Sequence, residues 1–234
     1  MSIENIKILI LVGGFGTRLR DVISDVPKPM APINKKPFLL HKIEKIREYL
    51  PKNQIYLLTH HMSDIIEEYF KEHSNIHFIK EEQALGTGGS IKHAIAMIDL
   101  LDEERVLVMN GDTYIEPDYI DFIENSTLEI NMMTSVVEDC SRFNTLEIKN
   151  NMVIKFKKKD STIRDASINI GCYIFNNLTF IKNMPEKYFS LENKFNEMID
   201  SIDIKSYEYK GIFIDIGTPD DYKRLINEKS NERK

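Results

Sequence analysis

The run IKILILV at residues 6–12 limits the fold of this chain more than any other feature. Every residue in it except Lys7 is apolar, and two glycines follow at once. A strand that is apolar on both faces must be covered on both faces. That is the situation of a central parallel strand, not of a half-wet hairpin. The next segments keep a matching rhythm. Residues 37–50 space Phe38, Leu39, Ile43, Ile46 and Leu50 for one helical face. A strand is expected at 54–59, a helix at 63–72, a strand at 76–80, a helix at 88–101 and a strand at 105–109. Such alternation builds a Rossmann-like α/β fold: a mostly parallel mixed sheet, right-handed crossovers and helices on both faces.

After residue 125 the rhythm changes. Segments 128–138, 143–149, 152–157 and 167–175 read as strands with few helix-length gaps. Helices are expected again at 177–183, 190–200 and 219–228, around a strand at 212–216. A smaller antiparallel β extension is therefore expected on the α/β half. No linker, repeat or low-complexity stretch divides residues 1–234, so one domain is expected, with a boundary of roles near residue 125.

Composition excludes some partners. A formal net charge of −6 argues against a general nucleic-acid or anionic-membrane surface, though not against a local basic pocket. Cys140 and Cys172 form no CxxC pair and read as reduced thiols. The first twelve residues are too short and too polar for a signal peptide or a membrane span, so a cytoplasmic protein is expected.

The chemistry-bearing residues gather around glycines. Six of the ten glycines lie in two clusters, Gly13, Gly14, Gly16 and Gly86, Gly88, Gly89. Gly111 precedes Asp112, Gly171 comes two residues after Asn169, and Gly217 comes two after Asp215. These positions close expected strands, where open α/β sheets take ligands, and glycine there lets backbone N–H groups approach a phosphate. Two familiar phosphate loops fail. A P-loop needs Gly-Lys, which the chain lacks, and GxGxxG fits at Gly14 and Gly16 but then meets Leu19. What remains is a phosphate loop with its own Arg18, followed by Lys28 held between Pro27 and Pro29. Asp112 and Asp215 are hard oxygen donors at strand ends, a donor set suited to Mg²⁺ bound together with phosphates.

The motifs LVGGFGTRL, PKPM, NKKPF, LGTGGSI, VMNGD, INIGCYIF and DIGTPDDY resemble, in order, those of sugar-1-phosphate nucleotidyltransferases. The set is most similar to D-glycero-D-manno-heptose 1-phosphate guanylyltransferases of capsule and surface-polysaccharide pathways. The resemblance implies that Leu11, Gly13, Gly14, Gly16, Thr17 and Gly111 line the nucleotide in the part before residue 125. Arg18 would grip the β- and γ-phosphates and Lys28 the α-phosphate. Gln83, Gly86 and Thr87 would hold the base and ribose, and Asp112 and Asp215 the Mg²⁺. After residue 125, Lys159 would take the sugar phosphate, and Asn144, Asn169 and Gly171 the sugar. Three departures from the family pattern bear on specificity. Lys158 stands in place of a glutamate, Phe143-Asn144 in place of Tyr-Gly, and Gln83 in place of a glutamate before LGT.

The implied reaction joins a nucleoside triphosphate, GTP by this resemblance, to a sugar 1-phosphate and releases pyrophosphate. A phosphate monoester, with a second pKa of about 6, is already mostly dianionic at neutral pH. It needs no general base, so none of the six histidines need act. Repulsion between anions is the obstacle, and positioning with charge neutralisation is the remedy. Mannose 1-phosphate with GTP, glucose 1-phosphate with CTP or dTTP, and a non-sugar phosphate with CTP stay open. So do a metal-dependent glycosyltransferase and an inactive nucleotide-sugar-binding regulatory domain. The family also implies a homodimer, and the net charge argues against a nucleic-acid or membrane partner.

Overall fold

The computed structural model describes residues 2–16, 19 and 22–231. Among them the chain runs β1 (Lys7–Leu11), a 3-10 turn at Lys28–Met30, the two-residue strands β2 (Pro32–Ile33) and β3 (Lys36–Pro37), α1 (Phe38–Tyr49), β4 (Ile55–Thr59), α2 (Ser63–Phe70) and β5 (Ile76–Lys80). It continues through α3 (Gly86–Ile98), β6 (Val106–Asn110), β7 (Thr113–Tyr114), α4 (Tyr119–Asn125), β8 (Ile130–Asp139), β9 (Thr145–Lys149), β10 (Met152–Lys157) and β11 (Arg164–Phe175). It ends with α5 (Thr179–Lys182), α6 (Leu191–Met198), β12 (Ile204–Glu208), β13 (Ile214–Asp215) and α7 (Pro219–Asn231).

One sheet carries both halves of the chain, in the order β5-β4-β1-β6-β11-β8-β12-β10-β9. The first four strands are parallel, as expected from the both-faces-apolar pattern of β1. The later strands are mixed. β11 is antiparallel to β6 and β8, whereas β12 is parallel to β8. The antiparallel extension is thus a continuation of the main sheet. It also curls back, because Ile168 of β11 pairs with Thr145 of β9.

Alternate residues of β1 go to opposite layers. Ile8 and Ile10 join Leu39, Ile43 and Ile46 of α1, Phe70 of α2 and Phe122 of α4 in one core. Leu9 joins Ile91 and Ile95 of α3, Ile181 of α5 and Phe195 of α6 in the other. All three β1 residues are 0% exposed, so each layer removes one side of the same strand from water. A third, smaller core seats α7 against the short strands through Phe38, Tyr114, Ile214, Ile216, Tyr222 and Leu225.

Several elements escape the sequence pattern, among them the two-residue strands β2, β3 and β7, the helix α4 and the strand β12. α4 is only seven residues long and is announced mainly by Asp118, whose carboxylate accepts from the N–H groups of Ile120 and Asp121. β12 turns Ser206 inward, which breaks its apolar alternation. That hydroxyl is satisfied by Thr134 Oγ1 at 2.8 Å. Helix α3 also starts at Gly86, two residues before the expected boundary, because the glycines there serve packing. Among the described residues, no helix is long and apolar enough to cross a membrane.

Candidate active site

The chain leaves β1 for β4 on one side and later reaches β6 on the other. The C-terminal ends of β1 and β6 therefore form the switch point where open α/β sheets leave a crevice. Leu11 and Asn110 are register partners there. The Gly111 N–H donates to the Leu11 carbonyl at 2.9 Å, and a Cβ at Gly111 would lie 2.6 Å from that oxygen. Only glycine lets the two exits run this close. Gly14 differs, since a Cβ there would meet nothing within 4 Å. The space beside Gly14 is not required by the protein's own packing.

Lys28 opens the 3-10 turn between two prolines, and its Nζ donates to Asp112 Oδ2 at 2.7 Å and to Asp215 Oδ1 at 3.2 Å. The carboxylates are distant in sequence and are brought together by β7 pairing with β13, which sets Asp215 opposite Thr113. The Ile216 N–H also donates to the Asp112 carbonyl at 3.1 Å. Arg142 holds the other oxygen of Asp215 at 3.1 Å and binds Asp221 on α7 as well. Two cations and three carboxylates therefore form one partly shielded network. Lys28 is the most enclosed member, at 9% side-chain exposure.

Beneath this network lies Lys42 of α1, buried, with its Nζ donating to the Thr113 carbonyl at 2.8 Å. Burial lowers its pKa to about 8, against the smaller raising effects of Cys172 and Asp112. Burial likewise pushes the Cys172 thiol up to about 12. Both cysteines are free and buried.

Two clefts meet at Leu11, Gly14 and Asp112. The smaller, about 180 Å³, is also lined by Gly16, Lys28 and Gly217. The larger, about 350 Å³, is also lined by Gly13, Glu81, Gly86, Thr87, Asn110 and Tyr188. A further cavity, about 660 Å³, shares only Asp215 with the residues expected from sequence and lies off this crevice.

The structure thus gathers Leu11, Gly13, Gly14, Gly16, Lys28, Gly86, Thr87, Gly111, Asp112 and Asp215 around one crevice. Thr17 and Arg18 lie outside the described residues. Gln83 is not in the crevice. It is exposed and lines a neighbouring groove, whereas Glu81, two residues earlier and only 6% exposed, lines the cleft. A strand continues to Lys80, so Glu81 sits at its end while Gln83 is already on the outer turn.

The second glycine cluster also differs from expectation. The N–H groups of Gly88 and Gly89 both donate to the Phe189 carbonyl, at 3.0 and 3.2 Å. Added Cβ atoms at these glycines would lie 2.1 Å from the Phe189 ring and 2.3 Å from the Lys187 carbonyl oxygen. These glycines let the α3 N-terminus pack against the segment before α6, and two of its first-turn donors are used there. Thr87 borders the cleft, but its hydroxyl donates to Glu192 Oε2 at 2.8 Å and accepts from the Leu191 N–H at 2.9 Å.

Asn169 and Gly171 lie at a β-bulge of β11, where the register with β8 shifts between Asn169 and Tyr173. Gly171 has φ +69°, and its missing Cβ leaves room for the Asn110 amide of the cleft. Asn144 and Lys159 are exposed and line neither cleft. The pairs Thr145–Lys157 and Ile168–Thr145 place both at the end of the sheet that also carries Asn169. Arg142, Glu81, Lys42 and Glu192 carry no periodic or spacing signal in the sequence that separates them from other charged residues. Only contacts reveal them.

The crevice, with a lysine between two carboxylates, lies at the switch point where open α/β sheets take ligands. The chain belongs to the Nucleotidyl transferase family, whose model matches residues 7–232. It is 37% identical to a D-glycero-alpha-D-manno-heptose 1-phosphate guanylyltransferase of Aneurinibacillus thermoaerophilus, over 94% of this chain and 96% of that protein. It is 34% identical to the Campylobacter jejuni protein of the same name, over 93% of this chain and 97% of the relative. Among solved structures, HddC from Yersinia pseudotuberculosis complexed with GMP-PN superposes with a TM-score of 0.78 at 34% identity, covering 95% of this chain and 99% of that one.

Proposed function

We propose that this protein is a sugar-1-phosphate guanylyltransferase that takes GTP and D-glycero-D-manno-heptose 1-phosphate. The observation that carries the reading is Lys28 poised on Asp112 and Asp215 beside the open space at Gly14. The names of the two heptose 1-phosphate relatives, and the guanine nucleotide in the HddC structure, support the choice of sugar and base.

In this reading an oxygen of the sugar phosphate attacks the α-phosphorus of GTP. A new P–O bond forms, the bond from the α-phosphorus to the bridging oxygen breaks, and pyrophosphate leaves. Gly13, Gly14 and Gly16 bring backbone to the triphosphate. Lys28 neutralises charge at the α-phosphate and Arg18 at the β- and γ-phosphates, and Thr17 contacts the nucleotide. Asn144, Lys159, Asn169 and Gly171 serve the sugar phosphate from the sheet end that carries them.

Glu81 takes the role first expected of Gln83. Guanine presents N1–H and the N2 amino group as adjacent donors, and a carboxylate is the side chain that accepts from both. Glu81 Oε2 already accepts the Leu85 N–H at 3.0 Å, which steadies the carboxylate at the cleft wall.

The donor set fits Mg²⁺. Two carboxylates, one from the turn between β6 and β7 and one from β13, converge on one ammonium group, so a cation is accommodated at that point. No group of three or more His, Cys, Asp or Glu residues able to hold a metal occurs among the described residues. The phosphates and water would therefore complete the shell, as is usual for Mg²⁺. Asp112 and Asp215 would hold the ion, which when bound supplies positive charge against the phosphates. A cytoplasmic, homodimeric enzyme supplying a nucleotide-sugar for surface polysaccharide completes the proposal.

The test is pyrophosphate release with Mg²⁺, each of GTP, ATP, CTP, UTP and dTTP, and a panel of sugar 1-phosphates. Fastest release with GTP and the heptose compound is expected. Release with another pair moves the specificity. No release with any pair overturns the reading.

A further inference from the structure

Glu192 lies in the first turn of α6 and belongs to none of the sequence motifs discussed above. Its carboxylate joins two places that the proposed function treats as separate. Oε2 accepts from the hydroxyls of Thr87, at the nucleotide cleft, and Ser190, both at 2.8 Å. Oε1 accepts from the Tyr173 hydroxyl at 3.2 Å. The Tyr173 oxygen accepts from Asn169 Nδ2 at 2.6 Å, and Asn169 Oδ1 accepts from the Gly171 N–H at 2.9 Å.

The direction of every bond in this chain is forced. The Gly171 N–H can only donate, so the Asn169 oxygen must face it and the Asn169 amino group must face Tyr173. The Tyr173 oxygen is then an acceptor, and its proton must go onward. Tyr173 is 0% exposed, and burial holds its pKa well above the ordinary tyrosine value, so the proton stays on the phenol. At the far end the Leu191 N–H donates to the Thr87 oxygen, so the Thr87 proton must also go onward. Two converging lines of donors meet at residue 192. Only a group that accepts on both sides can close them, and a carboxylate does so.

We propose that Glu192 is a positioning residue. As the acceptor-only centre of this chain, it fixes the orientation of the Asn169 amide on the sugar-phosphate side of the site. The inference rests on the proposed function for the meaning of "sugar side", but the direction of the chain does not depend on it.

Glu192→Gln keeps shape and size but offers one acceptor and one donor. The two hydroxyls of Thr87 and Ser190 both need an acceptor, so the new amide oxygen stays with them. The amino group then faces Tyr173, whose own proton loses its acceptor. Tyr173 can recover one only if the Asn169 amide turns over, and that sets two donors face to face at Gly171. The damage therefore travels toward Asn169 and spares Thr87.

The experiment uses the full chain and two readouts. In steady-state kinetics Glu192→Gln should raise KM for the sugar 1-phosphate about tenfold or more, while KM for GTP stays within about threefold. In thermal unfolding without substrates it should lower Tm by roughly 3–8 °C. Adding Asn169→Asp should restore most of that loss. The new carboxylate accepts from Gly171 N–H and Tyr173 O–H together, so the chain runs satisfied in the reverse direction. Asn169→Asp alone should destabilise, because two acceptors then compete for the one Tyr173 proton.

A Tm unchanged by Glu192→Gln, or not restored by the double variant, overturns the directed chain. A restored Tm with equal rises in both KM values, or with neither changed, overturns the positioning role. Should wild type release no pyrophosphate with any sugar phosphate, the proposed function fails. The unfolding series would still decide the chain's direction.

Discussion

Lys28 Nζ and Asp112 Oδ2 lie 2.7 Å apart although 84 residues separate them in the chain. The same ammonium reaches Asp215 at 3.2 Å. Lys28 therefore occupies the point at which a divalent cation would be held by these carboxylates. With these carboxylates on a cation, a substrate phosphate would replace them as the partner of the Lys28 ammonium.

Removing the lysine should separate two functions. Lys28→Ala is expected to lower turnover by about 10²–10⁴ through lost charge neutralisation at the α-phosphate. It should leave Mn²⁺ binding, followed by electron paramagnetic resonance, unchanged or tighter, because the carboxylates lose a competitor. Weaker Mn²⁺ binding in Lys28→Ala would show that the lysine helps to build the metal site.

The glycines supply a second, paired expectation. Gly14→Ala meets nothing within 4 Å, and Gly14 is not among the glycines with positive φ. Its stability should stay level or rise by up to about 1 kcal/mol from the stiffer unfolded chain. Its KM for GTP should rise tenfold or more as the methyl enters ligand space. Gly89→Ala gains about 1 kcal/mol of helix propensity. It also places a Cβ 2.3 Å from the Lys187 carbonyl. Overlap with backbone costs roughly 1–3 kcal/mol and wins, so the variant should unfold earlier in urea. Equal behaviour of the two variants would mean that both glycines serve the same purpose.

That contrast shows where sequence was informative. Periodicity placed β1, α1, β4 and α2 because apolar spacing follows directly from which face is buried. The crevice residues Gly14, Lys28, Asp112 and Asp215 were legible because strand ends, prolines and glycines mark where a sheet opens. Glycine itself was ambiguous. GTGG at residues 86–89 has the composition of a phosphate loop, yet Phe189 and Lys187, about a hundred residues on, are what demand it. Arg142, Lys42 and Glu192 were invisible for a related reason. A charged side chain shows its role only through the partner the fold brings to it.

Glu81 tests the choice of base. In Glu81→Gln the amide oxygen is expected to stay on the Leu85 N–H, which turns the amino group toward the two guanine donors. The kcat/KM for GTP should fall about 10–100-fold, while values for the other triphosphates change much less. A uniform fall across all five triphosphates would place Glu81 in the scaffold and move base recognition elsewhere in the cleft.

Lys42 makes a prediction about pH. Its ordinary pKa of 10.5 is lowered to about 8 by burial, so in the folded protein it gives up its proton earlier than in the unfolded chain. Below pH 8 both states hold the proton, and folding carries the full cost of enclosing a charge. Between pH 8 and 10.5 the unfolded chain binds more protons, so this contribution to stability rises with pH. Its full span is roughly 3 kcal/mol. Cys172 acts in the opposite sense, since its raised pKa makes the folded state the better proton holder from about pH 9 upward, so wild type alone would show a blurred profile. The comparison with Lys42→Met largely removes that contribution, which both proteins share. Urea unfolding of the pair at pH 7.5, 8.5 and 9.5 should show wild type gaining on Lys42→Met at each step. A difference that stays constant across that range would mean that the ammonium is stabilised in place by the Thr113 carbonyl strongly enough to cancel its desolvation.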